Sequence, residues 1–301
     1  MPFLRERSGR WSPVKVVAFA GAVLPALWIA FQAISGDLGP RPITEAIHQG
    51  GDWTLRLLFI TLAVTPAQRL LRFPRLGLAR RTLGVGCAAY GILHISLYIL
   101  DQHFDLIKVA SEIVLRIYLT IGALALTGLI ALAATSTDAA VRRLGAQRWH
   151  ALHRCAYAIA PLAAVHFFIQ SKLNIYEPTL MAGFLVWLLG YRVCLRLNGE
   201  VTPLHLVFLA CAGALITAVG EAAIYMFTSG VDARRVLLAH LDPGMEVRPA
   251  WWVLLTGLAI AAAGWWRYRP ARPRLRTRTA GPNAISGAAP SVAMVVQRRA
   301  V

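Results

Sequence analysis

Three histidines of this 301-residue sequence lie inside long apolar stretches: His94, His153 and His166. Ionisable side chains are costly at membrane depth, so each one found there is a candidate functional residue. Imidazole is the commonest metal ligand in proteins and a frequent axial ligand of haem iron. We therefore take these three histidines as the candidate ligands of a cofactor.

The spacing of the histidines separates two of them from the third. His94 lies thirteen residues beyond Arg81, and His166 lies seventeen residues beyond Trp149. At 1.5 Å per helical residue these positions are about 20 Å and about 25 Å deep, whereas His153 is only about 6 Å deep. Two imidazoles at matched depth on facing helices are what a bis-histidine haem needs. Such an iron has no open position and would carry electrons rather than activate oxygen.

His153 and His166 should not share a helix face, because thirteen residues at 100° each amount to 220° of rotation. Pro161 lies between them, and a proline kink there would bring the two to a common face. The simplest alternative reading is that the histidines only hydrogen-bond neighbouring helices. A zinc site would need a further ligand at the same depth, and a proton relay would need acids in the spans. Glu221 is the one such acid, and we expect it at the membrane interface.

The elements that must position these residues are membrane helices. Hydrophobic residues make up 57% of the sequence and charged residues 15%, against about 25% charged in a typical soluble domain. The apolar residues form eight long runs, which predict an all-α integral membrane protein of about eight transmembrane helices. Thr202 precedes Pro203 as a candidate helix cap. The runs are residues 14–34, 53–66, 83–100, 117–134, 149–169, 179–191, 203–227 and 250–266.

The basic residues predict the orientation. Lys and Arg number 22 in the N-terminus up to Lys15, the tail and alternate connections, against seven in the remaining connections. The positive-inside rule then places both termini in the cytoplasm and His94 and His166 in the outer half of the membrane. The net charge of +17 is spread over short clusters and a C-terminal tail, so it does not predict nucleic-acid binding. The tail, residues 268–301, is rich in Arg, Ala, Gly, Pro and Ser, and its composition predicts disorder.

Two arginines near the cytoplasmic side could neutralise a haem propionate or a flavin phosphate. Arg81 is better explained as a positive-inside residue, and for Arg154 the two readings are equal. The sequence predicts no soluble domain that could bind NADPH. We therefore expect the electrons to come from a membrane donor or a separate protein.

Two segments resemble a known family. Residues 80–98 read RRTLGVGCAAYGILHISLY, and residues 143–157 read RLGAQRWHALHRCAY, followed by His166 and Phe167. They resemble the third and fifth helices of the ferric-reductase-like transmembrane superfamily. Together with LGPRP at 38–42 and Thr65-Pro66, they resemble the haem-binding membrane subunits of periplasmic methionine sulfoxide reductase systems over residues 14–195.

The resemblance implies a helical bundle that binds one or two b-type haems through His94, His153 and His166. It further implies a bacterial inner-membrane subunit, not itself an enzyme, that takes electrons from membrane quinol, with FMN as a second cofactor. The partner would be a periplasmic molybdopterin-containing methionine sulfoxide reductase that repairs oxidised proteins. Where two-haem members of the superfamily have a further histidine, this chain has Arg80.

The resemblance also divides the chain. Residues 1–201 would be the haem-binding core, 202–267 a two-helix extension beyond the usual six helices, and 268–301 a cytoplasmic tail. Two other functions remain open from the sequence: a stand-alone transmembrane ferric or metal reductase or other cytochrome b, and a transporter or structural membrane protein with incidental histidines.

Overall fold

The structure is a computed structural model, and it describes residues 10–172, 174–242, 244 and 246–267, with Arg267 described by its backbone only. Regular structure in these residues is helical, as the apolar runs predict. A 3-10 turn at Pro74–Leu78 accompanies the α-helices. The α-helices are α1 (Pro13–Ser35), α2 (Pro42–Leu70), α3 (Ala79–Asp101), α4 (Leu106–Leu115), α5 (Ile117–Ala134), α6 (Asp138–Leu144), α7 (Ala146–His153), α8 (Ala156–Gln170), α9 (Tyr176–Asn198), α10 (Pro203–Ser229), α11 (Ala233–Ala239) and α12 (Pro249–Arg267).

Seven of the eight predicted spans are confirmed as helices long and apolar enough to cross a membrane. They are α1, α3 with its preceding 3-10 turn, α5, the α7–α8 pair, α9, α10 and α12. The protein is thus an all-α integral membrane protein.

The remaining predicted span, residues 53–66, lies in α2, which is long enough to cross but less apolar than the others. With 29 residues α2 is about 43 Å long. It carries Asp52 and Arg56 one turn apart, and Arg56 pairs with Glu177 of α9. Many of its apolar side chains, among them Leu57 and Leu58, are almost completely buried against neighbouring helices, whereas Ile43 and Ile60 are exposed. A helix enclosed by other helices shows little surface to lipid and can carry paired charges.

The fifth predicted span consists of two helices, α7 and α8, and this corrects the predicted kink. The break lies at Arg154 and Cys155, where the Cys155 N–H donates to the Leu152 carbonyl at 2.9 Å. The Tyr157 N–H donates in the same i to i−3 pattern to the Arg154 carbonyl at 3.0 Å. These tight bonds wind the chain as a 3-10 turn. Pro161 lies inside the continuous helix α8 instead of at the break.

The two C-terminal spans, α10 and α12, pack against each other and against α9. Thr202 caps α10 as predicted, and the His205 side chain completes a capping box. A Cβ atom added at Gly183 of α9 would lie 2.4 Å from Thr217 Oγ1 and 2.7 Å from Val253 Cγ2. Glycine therefore permits the close approach of all three helices. The predicted division at residues 201 and 202 stays a prediction, and the predicted tail, 268–301, lies outside the described residues.

Candidate functional site

His94 of α3 and His166 of α8 face each other across the bundle. Their ring centroids are 6.3 Å apart and their ring planes meet at 84°. The expected meeting of these two side chains, derived from helical rise alone, is therefore observed. The two rings belong to different helices, so the distance between their backbones is set by the packing of α3 and α8.

Each ring is held through its Nδ1 atom by a backbone carbonyl of another helix. His94 Nδ1 donates to the Ile47 carbonyl of α2 at 2.8 Å. His166 Nδ1 donates to the Tyr118 carbonyl of α5 at 2.7 Å. A carbonyl oxygen only accepts, so the proton of each neutral imidazole is on Nδ1 and the Nε2 lone pair is available. Histidines that bind metals are oriented by such partners.

Glycines of α2 and α5 give the two rings their space. A Cβ atom added at Gly51 would lie 3.2 Å from Nδ1 of His94, and one at Gly122 would lie 2.7 Å from Nδ1 of His166. Gly50 backs the His94 backbone in the same way, at 3.6 Å from its Cα. A larger residue at Gly122 would force the ring of His166 to shift.

The separation of the rings fits one metal between them. A bond from a metal to an imidazole nitrogen is about 2 Å long, and the ring centre lies roughly 1.1 Å beyond that nitrogen. Two imidazoles on opposite sides of one metal therefore have centres roughly 6 Å apart, in agreement with the 6.3 Å observed. The donor set, two neutral imidazoles, suits haem iron.

His153 lies elsewhere, at the C-terminal end of α7. Its ring stacks on Trp149 with a centroid distance of 3.8 Å. Its Nε2 atom is 3.3 Å from the Ser136 hydroxyl, and Nδ1 is 3.1 Å from the Trp149 carbonyl. The structure does not bring His153 to the His94–His166 pair, in keeping with its predicted shallow depth.

The arginines near the predicted cytoplasmic side have protein partners or are exposed. Arg81 forms an ion pair with Asp138 of α6 at 2.8 Å. Arg80 donates to the Thr65 hydroxyl at 2.7 Å. Arg154 is exposed at the break between α7 and α8. Arg81, which we explained by the positive-inside rule, also links α3 to α6 through this ion pair.

One buried interaction escaped sequence reasoning although the sequence contained its signal. A proline inside a helix leaves the carbonyl four residues earlier without its amide donor. Pro66 in α2 does this to Leu62, and Arg192 of α9 donates to the Leu62 carbonyl at 2.6 Å. The guanidinium also lies over the ring of Tyr157 of α8 at 4.9 Å. Arg192 thereby connects the helix that backs His94 with the helix that carries His166.

Glu221, the acid that we expected at the membrane interface, has a side chain that is only 1% exposed. Its depth in the membrane stays a prediction. Arg248 Nη2 lies 2.9 Å from Oε1, and His240 Nε2 lies 3.3 Å from Oε2. The carboxyl group can be buried in this way because Arg248 and His240, from the connection between α10 and α12, lie against it.

Comparison with known proteins places the chain in a family. The family described as "Ferric reductase like transmembrane component" matches residues 51–164, a range that contains His94 and His153 and ends just before His166. No solved structure matches the chain at a significant level.

Several curated relatives share one printed name, "Protein-methionine-sulfoxide reductase heme-binding subunit MsrQ". The relative from Azospira oryzae is 42% identical over 193 residues, 62% of this chain and 82% of the relative. Those from Caulobacter vibrioides and Rhodospirillum rubrum are 39% and 40% identical, over 81% and 89% of their own lengths. With this identity over most of each relative's length, the chain belongs to the MsrQ family.

Proposed function

We propose that this chain is a membrane electron-transfer subunit that binds b-type haem between His94 and His166. The observation that carries the proposal is the pair of imidazoles with centres 6.3 Å apart, each with its Nδ1 proton committed to a backbone carbonyl. The printed names of the relatives, heme-binding subunits, support the same cofactor.

When bound, haem supplies a one-electron redox centre. The chain's own residues would determine its environment: His94 and His166 would hold the iron through their Nε2 atoms. The carbonyls of Ile47 and Tyr118 fix the ring orientations and increase the basicity of both imidazoles. Two protein ligands leave no open position for a substrate, so the site is built for electron transfer rather than catalysis at the metal.

The proposed direction of transfer rests on the predicted topology. His94 and His166 belong to the predicted outer half of the membrane, whereas His153 belongs to the predicted cytoplasmic side. We propose that electrons from membrane quinol pass outward, in the bacterial inner membrane, to a periplasmic molybdopterin-containing methionine sulfoxide reductase. His153 would serve electron entry or a second haem. FMN stays a prediction from the family resemblance.

The proposal is tested by haem content and quinol-driven reduction in three alanine variants. We expect His94→Ala and His166→Ala to lose most of the low-spin haem, because each leaves the iron one protein ligand. We expect His153→Ala to retain the haem of the His94–His166 pair and to lose a second haem or electron entry. His103→Asn is the matched control, because His103 is an exposed histidine in a backbone conformation that asparagine adopts readily.

The opposite pattern would refute the assignment. If His153→Ala alone removed all haem while His94→Ala kept the full content, the cofactor would lie near the cytoplasmic side.

A further inference from the structure

A second cluster of ionisable side chains lies far from the histidine pair in sequence, outside the residues that the family comparison matches. Glu221 of α10 is buried, and its two partners come from the connection between α10 and α12. His240 follows α11 and is 8% exposed, and Arg248 directly precedes α12 and is 17% exposed. The proposed electron transfer uses none of these three residues.

The hydrogen-bond donors of this cluster do not match its acceptors. His240 Nδ1 lies 2.9 Å from the Val236 carbonyl, which only accepts, so Nδ1 carries a proton. In a neutral imidazole Nε2 then carries a lone pair. It lies 3.3 Å from Oε2 of Glu221, which also carries lone pairs when the carboxyl is ionised. Neither Nε2 nor Oε2 has a hydrogen-bond partner among the described residues.

Arg248 does not remove this conflict. Its Nη2 lies 2.9 Å from the other carboxyl oxygen, Oε1, and its guanidinium lies 5.8 Å from the ring centre of Tyr225. Two buried acceptors that face each other without a donor are destabilising. The gap of 3.3 Å is too short for a water molecule in line between them, because each hydrogen bond of such a water needs about 2.8 Å.

We propose that Glu221 and His240 bind one proton between them, and that this buried proton-binding site holds α11 against α10. A proton on His240 makes it an imidazolium that donates to both the Val236 carbonyl and Glu221. A proton on Glu221 makes it a carboxylic acid that donates to Nε2. Either placement supplies the missing donor between the two atoms.

Hydrogen bonds from α9 and α12 hold the segment between α10 and α12 in place around the proposed proton. The Trp251 indole donates to the His240 carbonyl at 2.7 Å, and the Tyr176 hydroxyl of α9 donates to the Val247 carbonyl at 2.6 Å. Among the described residues, the charged or titratable groups that contact the pair or its partner are Arg248 and, under its guanidinium, Tyr225 of α10. The closed state retains the proton at a pH where an opened state has released it. The closed state therefore loses stability as the pH rises through the transition of the pair.

Hydrogen exchange of the α11 amides in the full-length protein in detergent tests the proposal. Protection factors, corrected for the intrinsic pH dependence of exchange, should fall with rising pH in the wild type. In Glu221→Gln the amide accepts from Arg248 through its oxygen and donates to neutral His240 through its nitrogen. This variant imitates the protonated pair at any pH where His240 is neutral, so its α11 protection should stay high as the pH rises.

His240→Gln provides a second variant should Glu221→Gln fail to fold, and its α11 protection should also be independent of pH. His103→Asn removes an exposed histidine elsewhere and should retain the wild-type profile. Wild-type protection that does not change with pH would overturn the proposal. So would a wild-type transition that persists unchanged in either cluster variant.

Discussion

At the scale of single residues, the candidate site depends on which nitrogen of each imidazole is available to bind a metal. The carbonyls of Ile47 and Tyr118 take the Nδ1 protons and so leave both Nε2 atoms as potential ligands. Neither carbonyl belongs to the helix of the histidine that it holds. The site is therefore shaped by α2 and α5 as much as by α3 and α8.

Gly122→Ala should lower the haem content markedly. The new methyl group would lie 2.7 Å from Nδ1 of His166, too close for the ring to keep both its position and its bond to Tyr118. Haem per protein and the low-spin absorbance measure the loss.

The matched control for this change is Gly220→Ala, the same substitution inside α10, where a Cβ atom meets nothing within 4 Å. Equal haem content in the two variants would show that Gly122 does not set the position of His166.

At the scale of elements, Arg192 compensates for the proline in α2. Its guanidinium donates to the Leu62 carbonyl that Pro66 leaves unpaired and, at 3.0 Å, to the Leu188 carbonyl of its own helix. Contact with Tyr157 adds α8 to the connection. One side chain thereby joins α2, α8 and α9, the helices that back or carry the histidine pair.

Arg192→Leu should destabilise the protein by about 1–3 kcal/mol, because a buried carbonyl loses its donor. Arg192→Lys should restore part of the loss, since an ammonium group supplies a donor but not the planar contact with Tyr157. Thermal unfolding in detergent measures both. Arg196→Leu, an exposed position on the same helix, should change stability much less, and an equal loss there would refute the role of Arg192.

The elements also show what the sequence can and cannot predict. Apolar runs and the Thr202 cap are local signals, and they predicted the helices and the start of α10 correctly. Helical rise sufficed to predict that His94 and His166 would meet. The break at Arg154 and the partners of Glu221 could not be predicted, because they depend on bonds and contacts set by the packed bundle. For α2 the apolar run predicted a helix, but its charges are tolerated only because neighbouring helices enclose it.

At the scale of the whole molecule, α9 is the boundary between the candidate site and the C-terminal helices. It packs against α2 and α8 on one side and against α10 and α12 on the other. The residues that hold the histidine pair, from Ile47 to His166, all precede α9.

Truncation after Asn198 should therefore leave haem content largely intact. The comparison is haem per protein in the full chain and in the truncated chain, each purified from membranes. Loss of haem from a stably inserted truncated protein would show that α10 or α12 completes the site.

The most direct test of the haem assignment is the electron paramagnetic resonance spectrum of the oxidised protein. If His94 and His166 held haem iron with their ring planes at the observed 84°, they would give a highly anisotropic low-spin ferric signal. We predict that signal in the wild type and in His153→Ala, and its absence in His94→Ala and in His166→Ala. A low-spin signal that survives in both of the latter variants would contradict the assignment of His94 and His166 as the axial ligands.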